Sequence, residues 1–262
     1  MVNPFRSLLQ AHLRLLCIFL YTPIVVLMAL SFNRSGLPTA WTGFSLKWHA
    51  VLWDSKPILA AAVNTLIVAV CATVVASALG TLLALGVERR RRQSAALDAL
   101  LFAPMIIPDI VLAVALLSFF TLLEWTLGLY SIIISHIVFN IAFVCAVVRA
   151  RLAHFDYATL EASADLGASG WSTFWRVTLP MIFPGVAAGA LLAFTLSVDE
   201  FIIAYFTAGA GSSSTTLPMQ IYAMIRFGVT PEINALASLV MLFSFTLVFF
   251  AQRLQKGTVG GV

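Results

Sequence analysis

Six long apolar runs dominate this chain, at roughly Leu13–Phe32, Leu59–Val87, Leu97–Phe120, Tyr130–Val148, Phe183–Phe206 and Ile233–Ala251. A helix needs about 20 residues to cross ~30 Å of hydrocarbon. Lipid offers no partner to a free backbone N–H or C=O, so each run must satisfy its own backbone as a helix. The runs predict an all-α fold: a polytopic membrane protein with about six transmembrane helices. Composition closes off the soluble alternative, because charged residues are only 10% of the 262 and hydrophobic residues 61%. A soluble domain carries roughly a quarter charged.

The net charge of +4 does not point to nucleic acid, since the basic residues cluster at the ends of the runs. Arg6, Arg14, the block Arg89–Arg92, Arg149, Arg151, Arg176, Arg253 and Lys256 fall on one side of a six-span topology. Arg34, Lys47, Lys56 and Arg226 fall on the other. Positive charge is retained inside, so both termini are expected in the cytoplasm. The first run resembles a signal peptide, yet Leu30-Ser31-Phe32 offers no small-x-small cleavage site, and a retained helix is expected. The outer connections are then Asn33–Ile58, a turn near Glu124–Leu129, and Thr207–Glu232, with the Gly/Ser/Thr-rich stretch Gly209–Thr216 expected flexible and solvent-facing. Cys17, Cys71 and Cys145 lie inside apolar runs with no disulfide or metal spacing. His12, His49, His136 and His154 are scattered and read as ordinary polar positions.

One inner connection, about Arg149 to Ile182, is longer than topology requires. Leu160, Ala164 and Gly167 recur at helical spacing, and Gly167 suits a left-handed helix end. Ser169 is a candidate N-cap for a second short helix that places Trp171, Phe174 and Trp175 on one face. Leu179-Pro180 is expected to close that element before the next span. From the residues alone two readings stay open: a docking surface for a partner, or an amphipathic element lying on lipid headgroups.

Ionisable residues within spans mark functional sites by default. Asp109 lies about 18 Å into the third run at 1.5 Å per residue, behind Pro104 and Pro108, which are expected to loosen or kink that helix. Asp199 and Glu200 lie in the outer half of the fifth run. Gly185, Gly189, Ala193 and Ser197 form a small-residue stripe for close packing, with Glu200 beside it. Asp199 falls on the neighbouring face with Ala188, Leu192 and Thr195, and is expected to face a path, with Glu200 a packing or gating partner. Carboxylates along a path select cations, and Phe201, Tyr205 and Tyr222 are placed to add cation–π contacts. The competing reading is that the acids pair with Arg226 or cap helix ends. Other classes are a proton-coupled secondary transporter with Asp109 and Asp199 as its relay, an intramembrane aspartate-pair hydrolase, and a non-transporting assembly or sensing subunit.

The inner loop resembles the EAA loop of ATP-binding-cassette (ABC) importer permeases: Glu-Ala-Ala, three residues, Gly, nine residues, Ile, one residue, Leu-Pro. Glu161, Ala162, Gly167, Leu179 and Pro180 match at that spacing, with Ser163 for Ala and Val177 for Ile. The resemblance implies a type I importer permease fold, one transmembrane domain over residues 1–262 with 149–182 as its coupling loop. It implies that this loop seats in a cleft of a cytosolic ATPase, that Glu161, with Ala162 and Asp165 beside it, makes contact there, and that Gly167 allows the turn. The chain lacks the phosphate-binding G-x-x-x-x-G-K-[ST] pattern. ATP and Mg²⁺ are therefore expected on the partner ATPase, no cofactor on this chain, and no catalysis by it.

Two further stretches, Leu196-Ser197-Val198-Asp199-Glu200-Phe201-Ile202-Ile203 and Thr216–Tyr222 followed by Arg226–Ala235, are similar to polyamine (spermidine/putrescine) permeases, second subunit of the pair. This implies a heterodimer with another permease subunit, two ATPase subunits, a periplasmic solute-binding protein, and residence in the bacterial inner membrane. Related permeases for other solutes share much of this pattern, so another solute remains the alternative.

Overall fold

In the computed structural model the described residues are 4–36, 40–88, 95–226, 228 and 230–259, with side chains described from Ser7 to Thr246, Ala95 excepted. The Arg89–Arg92 block and the side chains of Arg253 and Lys256 lie outside them. Every regular element among the described residues is helical: α1 (Pro4–Leu30), α2 (Lys47–Asp54), α3 (Lys56–Glu88), α4 (Ala95–Ile106), α5 (Asp109–Leu122), α6 (Leu129–Leu152), α7 (Ala158–Asp165), α8 (Gly170–Thr173), a π-helical turn (Phe174–Thr178), α9 (Leu179–Asp199), α10 (Ile202–Thr207), α11 (Leu217–Ile225) and α12 (Pro231–Val259). All six expected runs are helical. Among the described residues four helices are long and apolar enough to cross a membrane singly, α4 and α5 make a fifth if the bent pair is one span, and α12 is apolar over Pro231–Thr246.

The chain divides into two compact units. The first holds Met1–Leu59 and Ile221–Val248. Its α1 is exposed from Ser7 to Pro23, with Leu13 62% and Phe19 74% accessible. The connection after α1 is organised around Asn33, whose Oδ1 accepts from Thr42 N–H at 2.9 Å while Trp48 Nε1 donates to its carbonyl at 2.8 Å. Phe32 stacks between Phe44 and His49.

The second unit holds Ala60–Gln220 and Phe249–Val262. Its centre is α6, clasped between small-residue stripes on α3 and α9. Ala69, Ala72, Ala76 and Ala84 are fully buried on α3, and a Cβ added to Gly80 would sit 2.8 Å from Val144 Cβ. On α9 the expected stripe is the buried face, Gly185, Gly189, Ala193 and Ser197. A Cβ on Gly189 would meet Val144 Cγ1 at 3.3 Å, and one on Gly185 would meet Arg151 Cβ at 2.7 Å. Small residues let backbones approach where lipid supplies no hydrophobic drive between helices. Arg149 and Arg151 close the last turn of α6, where the helix dipole favours cations. Arg149 also bonds Asp98 of α4 at 2.9 Å.

Three expectations change here. The third run is not one kinked helix: α4 and α5 meet at 103°. Ile107 precedes a proline and is pushed out of helical geometry. Pro108 then starts α5, its carbonyl accepting from Val111 and Leu112 N–H at 2.9 and 3.3 Å. Leu179-Pro180 does not close an element, because a helical segment runs unbroken from Gly170 to Asp199. The π turn absorbs the proline: Leu179 N–H reaches back to the Phe174 carbonyl, and Pro180 sits at the start of α9. The stretch Gly209–Thr216 is fastened rather than free. Asn64 Nδ2 donates to the Ser213 and Thr215 carbonyls, both at 2.9 Å, Ser214 Oγ donates to Ala208 O at 2.7 Å, and Ser214 and Thr216 are buried.

Candidate functional site

Two constructions carry the residues singled out by sequence, and both belong to the second unit.

The first is an elbow made by α7, α8 and the π turn. Ala158 N–H donates to Asp156 Oδ1 at 3.0 Å and Thr159 Oγ1 to Asp156 O at 2.7 Å, so Asp156 ties down the turn that leads into α7. Tyr157, just before it, donates its hydroxyl to Glu88 Oε1 at 3.5 Å. Partial burial, with the neighbouring Glu88 charge, raises the phenol above its ordinary range and keeps it protonated as the donor. α7 ends in a Schellman arrangement. Gly167 N–H reaches Ala164 O at 2.9 Å, Ala168 N–H reaches Ser163 O at 3.1 Å, and Gly167 takes φ +74°. Ser169 caps α8 by accepting from Ser172 N–H at 3.3 Å. Across the elbow the hydroxyls of Ser163 and Thr173 meet at 2.9 Å. Ser163, one of the two departures from the EAA pattern, thus ties α7 to α8.

On this frame Glu161 sits in the first turn of α7, exposed, with Ala162 and Asp165 exposed beside it and Gly167 at the bend. Leu179 packs into the core around Val144 and Ile182, while Pro180 is exposed. Trp171, Phe174 and Trp175 do share a face, with ring centroids 5.3–6.2 Å apart. Leu166 is 87% and Trp171 71% accessible. Trp171 and Phe174 also line an apolar hollow of about 360 Å³ with Leu82, Leu85 and Gly86.

The second construction is a pair of broken spans. α9 stops at Asp199, Glu200 is extended (φ −70°, ψ 115°), and α10 restarts at Ile202. Glu200 folds its carboxylate forward to cap α10, accepting from Ile203 N–H at 2.8 Å and drawing on Ile202 N–H as well. α10 packs on α5 through Ile203, Ala113 and their neighbours. That contact brings Asp109, in the first turn of α5, within electrostatic reach of Glu200. The chain break overturns the premise that Asp199 and Glu200 share one helix. Glu200 is a cap, as the competing reading allowed for one acid, and Asp199 is an exposed helix-terminal carboxylate with no hydrogen-bond or ion-pair partner among the described residues. Thr195 turns its hydroxyl onto its own helix, donating to Leu191 and Leu192 carbonyls at 3.1 and 2.9 Å. Phe201 and Tyr205 lie 5.4 Å apart at the break, Tyr205 half exposed. Tyr222 and Arg226 belong to the first unit.

Irregular backbone at membrane depth is tolerated only where it is buried in protein or lines a cavity. Discontinuous spans are where transporters place charged cargo. Here Asp199 and Glu200 lie at the α9–α10 break and Asp109 at the α4–α5 break, with Asp109 in electrostatic reach of Glu200.

Residues 76–259 match the family described as binding-protein-dependent transport system inner membrane component. The chain belongs to that family. Within the family it is 40% identical to the spermidine/putrescine transport system permease protein PotC of Escherichia coli K12, over 93% of this chain and 94% of that one. It is 39% identical to the putrescine transport system permease protein PotI of the same organism, covering 85% and 82%. Among solved structures it superposes on a bacterial ABC transporter involved in import of the acidic polysaccharide alginate, with TM-score 0.75 at 18% identity, covering 96% and 94%. It also superposes on the MetNI methionine ABC transporter, with TM-score 0.57 at 21% identity, covering 78% and 98%. The fold is therefore that of ABC importer permeases.

Sequence reasoning missed a buried polar row on α6: Ser131, Ser135, His136 and Asn140, at most 1% exposed. Asn140 Nδ2 donates to Ser197 Oγ at 2.8 Å, and Ser131 Oγ donates to Thr207 O at 2.7 Å. The signal that could have found it is four polar residues at helical spacing inside an otherwise apolar run.

Proposed function

We propose that this chain is one of two permease subunits of an ABC importer for polyamines, driven by ATP hydrolysis in separate ATPase chains and fed by a periplasmic binding protein. The observation that carries the cargo assignment is that Asp109, Asp199 and Glu200 all lie at breaks in the spans, Asp109 in electrostatic reach of Glu200, in a chain 40% identical to a spermidine/putrescine permease. A di- or tri-cationic amine is matched by carboxylates, by the negative end of the α9 dipole, and by the faces of Phe201 and Tyr205. An anionic cargo would be repelled by all of these.

The elbow is the docking surface for the ATPase. Glu161 and Asp165 supply polar contact, Leu166 and Trp171 supply apolar area, and Gly167 sets the angle between them. Both termini lie on that side of the membrane, the cytoplasm, with the break at Asp199 toward the outer half. The chain binds no nucleotide, and ATP and Mg²⁺ reside on the partner. Closure of the ATPase pair displaces the elbows, and rigid-body rocking of the spans exposes the path to alternate sides.

The test is uptake of labelled spermidine into cells carrying the complete transporter, with and without the cognate ATPase. ATPase-dependent uptake supports the proposal. Uptake that persists without the ATPase would restore a proton-coupled transporter using Asp109 and Asp199. ATPase activity stimulated by another solute but not by polyamine would reassign the cargo alone.

A further inference from the structure

The buried row on α6 lies opposite the break in the fifth span. Two hydrogen bonds set the register between α6 and the α9–α10 segment: Asn140 to Ser197 at 2.8 Å, and Ser131 to Thr207 at 2.7 Å. His136 lies one turn before Asn140 on the same face, since residues four apart share a face. Four residues make about 6 Å of rise. The same rise past Ser197 reaches Glu200 and Phe201, the two residues that separate α9 from α10.

His136 is 1% exposed, and neither ring nitrogen has a hydrogen-bond partner among the described residues. Asn140 Oδ1, one turn away, is buried and unpartnered too. Unpaired polar groups of this kind are rare, and each raises the free energy of the conformation that holds it. The last turn of α9 offers the imidazole N–H its complement, carbonyl acceptors. Glu200 follows that turn in extended geometry, and no backbone hydrogen bond caps it. The last carbonyls of a helix lack an intrahelical amide to accept from. Donor and acceptor therefore stand on opposite sides of one joint, unjoined in this conformation.

We propose that His136 is a positioning residue for the break: in a second conformation of the transport cycle its imidazole N–H donates to a backbone carbonyl within Ser197–Asp199, and its unpaired state here keeps the present conformation from becoming a trap. The assignment concerns how the permease moves between states. It rests on the chain being an ATPase-driven permease and not on which solute it carries.

The two questions separate in one experiment. The assembled transporter is prepared with Cys17, Cys71 and Cys145 replaced by serine and with Val198→Cys as a reporter in the last turn of α9. Labelling by a membrane-impermeant maleimide is compared between nucleotide-free and vanadate-trapped states. With His136 intact, the labelling rate changes between the states. His136→Leu removes the unpaired groups without the bond they make later. It should hold the nucleotide-free labelling pattern in both states, cut solute-stimulated ATP hydrolysis roughly tenfold or more, and leave the melting temperature equal or higher. His136→Gln, which keeps a donor and an acceptor, should restore most of the change in labelling and most of the hydrolysis. A leucine variant that switches and hydrolyses like wild type overturns the assignment. So does one that merely melts lower while switching normally, since that describes a structural histidine satisfied where it stands. If labelling switches as expected but spermidine is not taken up, the cargo assignment fails and the role of His136 survives.

Discussion

Gly167 offers a clean perturbation of the elbow, because its environment isolates one physical effect. Its φ is +74°, and a Cβ added there meets no atom within 4 Å. Any penalty for a side chain is therefore a backbone penalty and not a clash. Left-handed geometry costs an L-residue about 1–2 kcal/mol. Alanine regains part of that, about 0.4–1 kcal/mol, by restricting the unfolded loop, leaving a net cost near ~1 kcal/mol. At 1.4 kcal/mol per tenfold, that corresponds to about fivefold. The docked state requires the elbow as built, whereas the free loop can escape the strain by opening. The cost should therefore appear as weaker ATPase binding. Titrating the purified ATPase against the permease complex in nanodiscs should give about fivefold weaker binding for Gly167→Ala. Gly167→Asn should fall within about twofold of wild type, since asparagine tolerates this geometry, and Gly167→Val should be the weakest, being β-branched. If alanine binds as tightly as glycine, or asparagine worse than valine, the left-handed turn is not what presents Glu161 to its partner.

Glu161→Lys reverses the exposed charge at the start of α7 and should weaken ATPase association or uncouple hydrolysis while insertion stays normal; wild-type uptake in that variant would remove Glu161 from the docking surface. Asp199→Asn should depress spermidine uptake more than Glu200→Gln, because glutamine keeps an oxygen for the Ile203 amide while the exposed Asp199 carboxylate has no such substitute role. Equal, small effects would return both acids to capping alone. Gly80→Val places a Cβ 2.8 Å from Val144 Cβ and 3.0 Å from the Ile141 carbonyl, and should lower the thermal stability of the complex by about 1–3 kcal/mol. Gly86→Ala on the same helix meets nothing within 4 Å and should be neutral or stabilising, gaining up to about 1 kcal/mol of helix propensity; matching losses at both positions would contradict the clasp of α3 on α6.

What could be read from residues alone were features set by local chemistry. Apolar length gave the spans, glycine and serine gave the bend at Gly167 and the cap at Ser169, and the stripe Gly185–Ser197 gave the buried face of α9. What could not be read depends on partners distant in the chain. No glycine or proline marks the stop after Asp199; α9 ends there because Glu200 turns its carboxylate to the Ile203 amide and α10 packs on α5. Pro108 did announce a disturbance, but only tertiary packing decides between a kink and a turn of 103°. Pro180 announced a stop that a π turn cancels. The polar-looking Gly209–Thr216 is held by Asn64, well over a hundred residues earlier, which local composition cannot reveal.

The unbroken stretch from Gly170 to Asp199 has a mechanical meaning. Thirty residues at 1.5 Å each make a rod of about 45 Å with Trp171 at one end and the carboxylate of Asp199 at the other. Pivoted near its elbow, such a rod converts a tilt of about 10° into a sweep of ~8 Å at the far tip, more than the width of an ammonium group. A span interrupted midway would dissipate that displacement in bending. The helix carries on through Pro180 and Pro184 and stops only at Glu200, so the joint that follows the lever lies at its tip, beside Asp199.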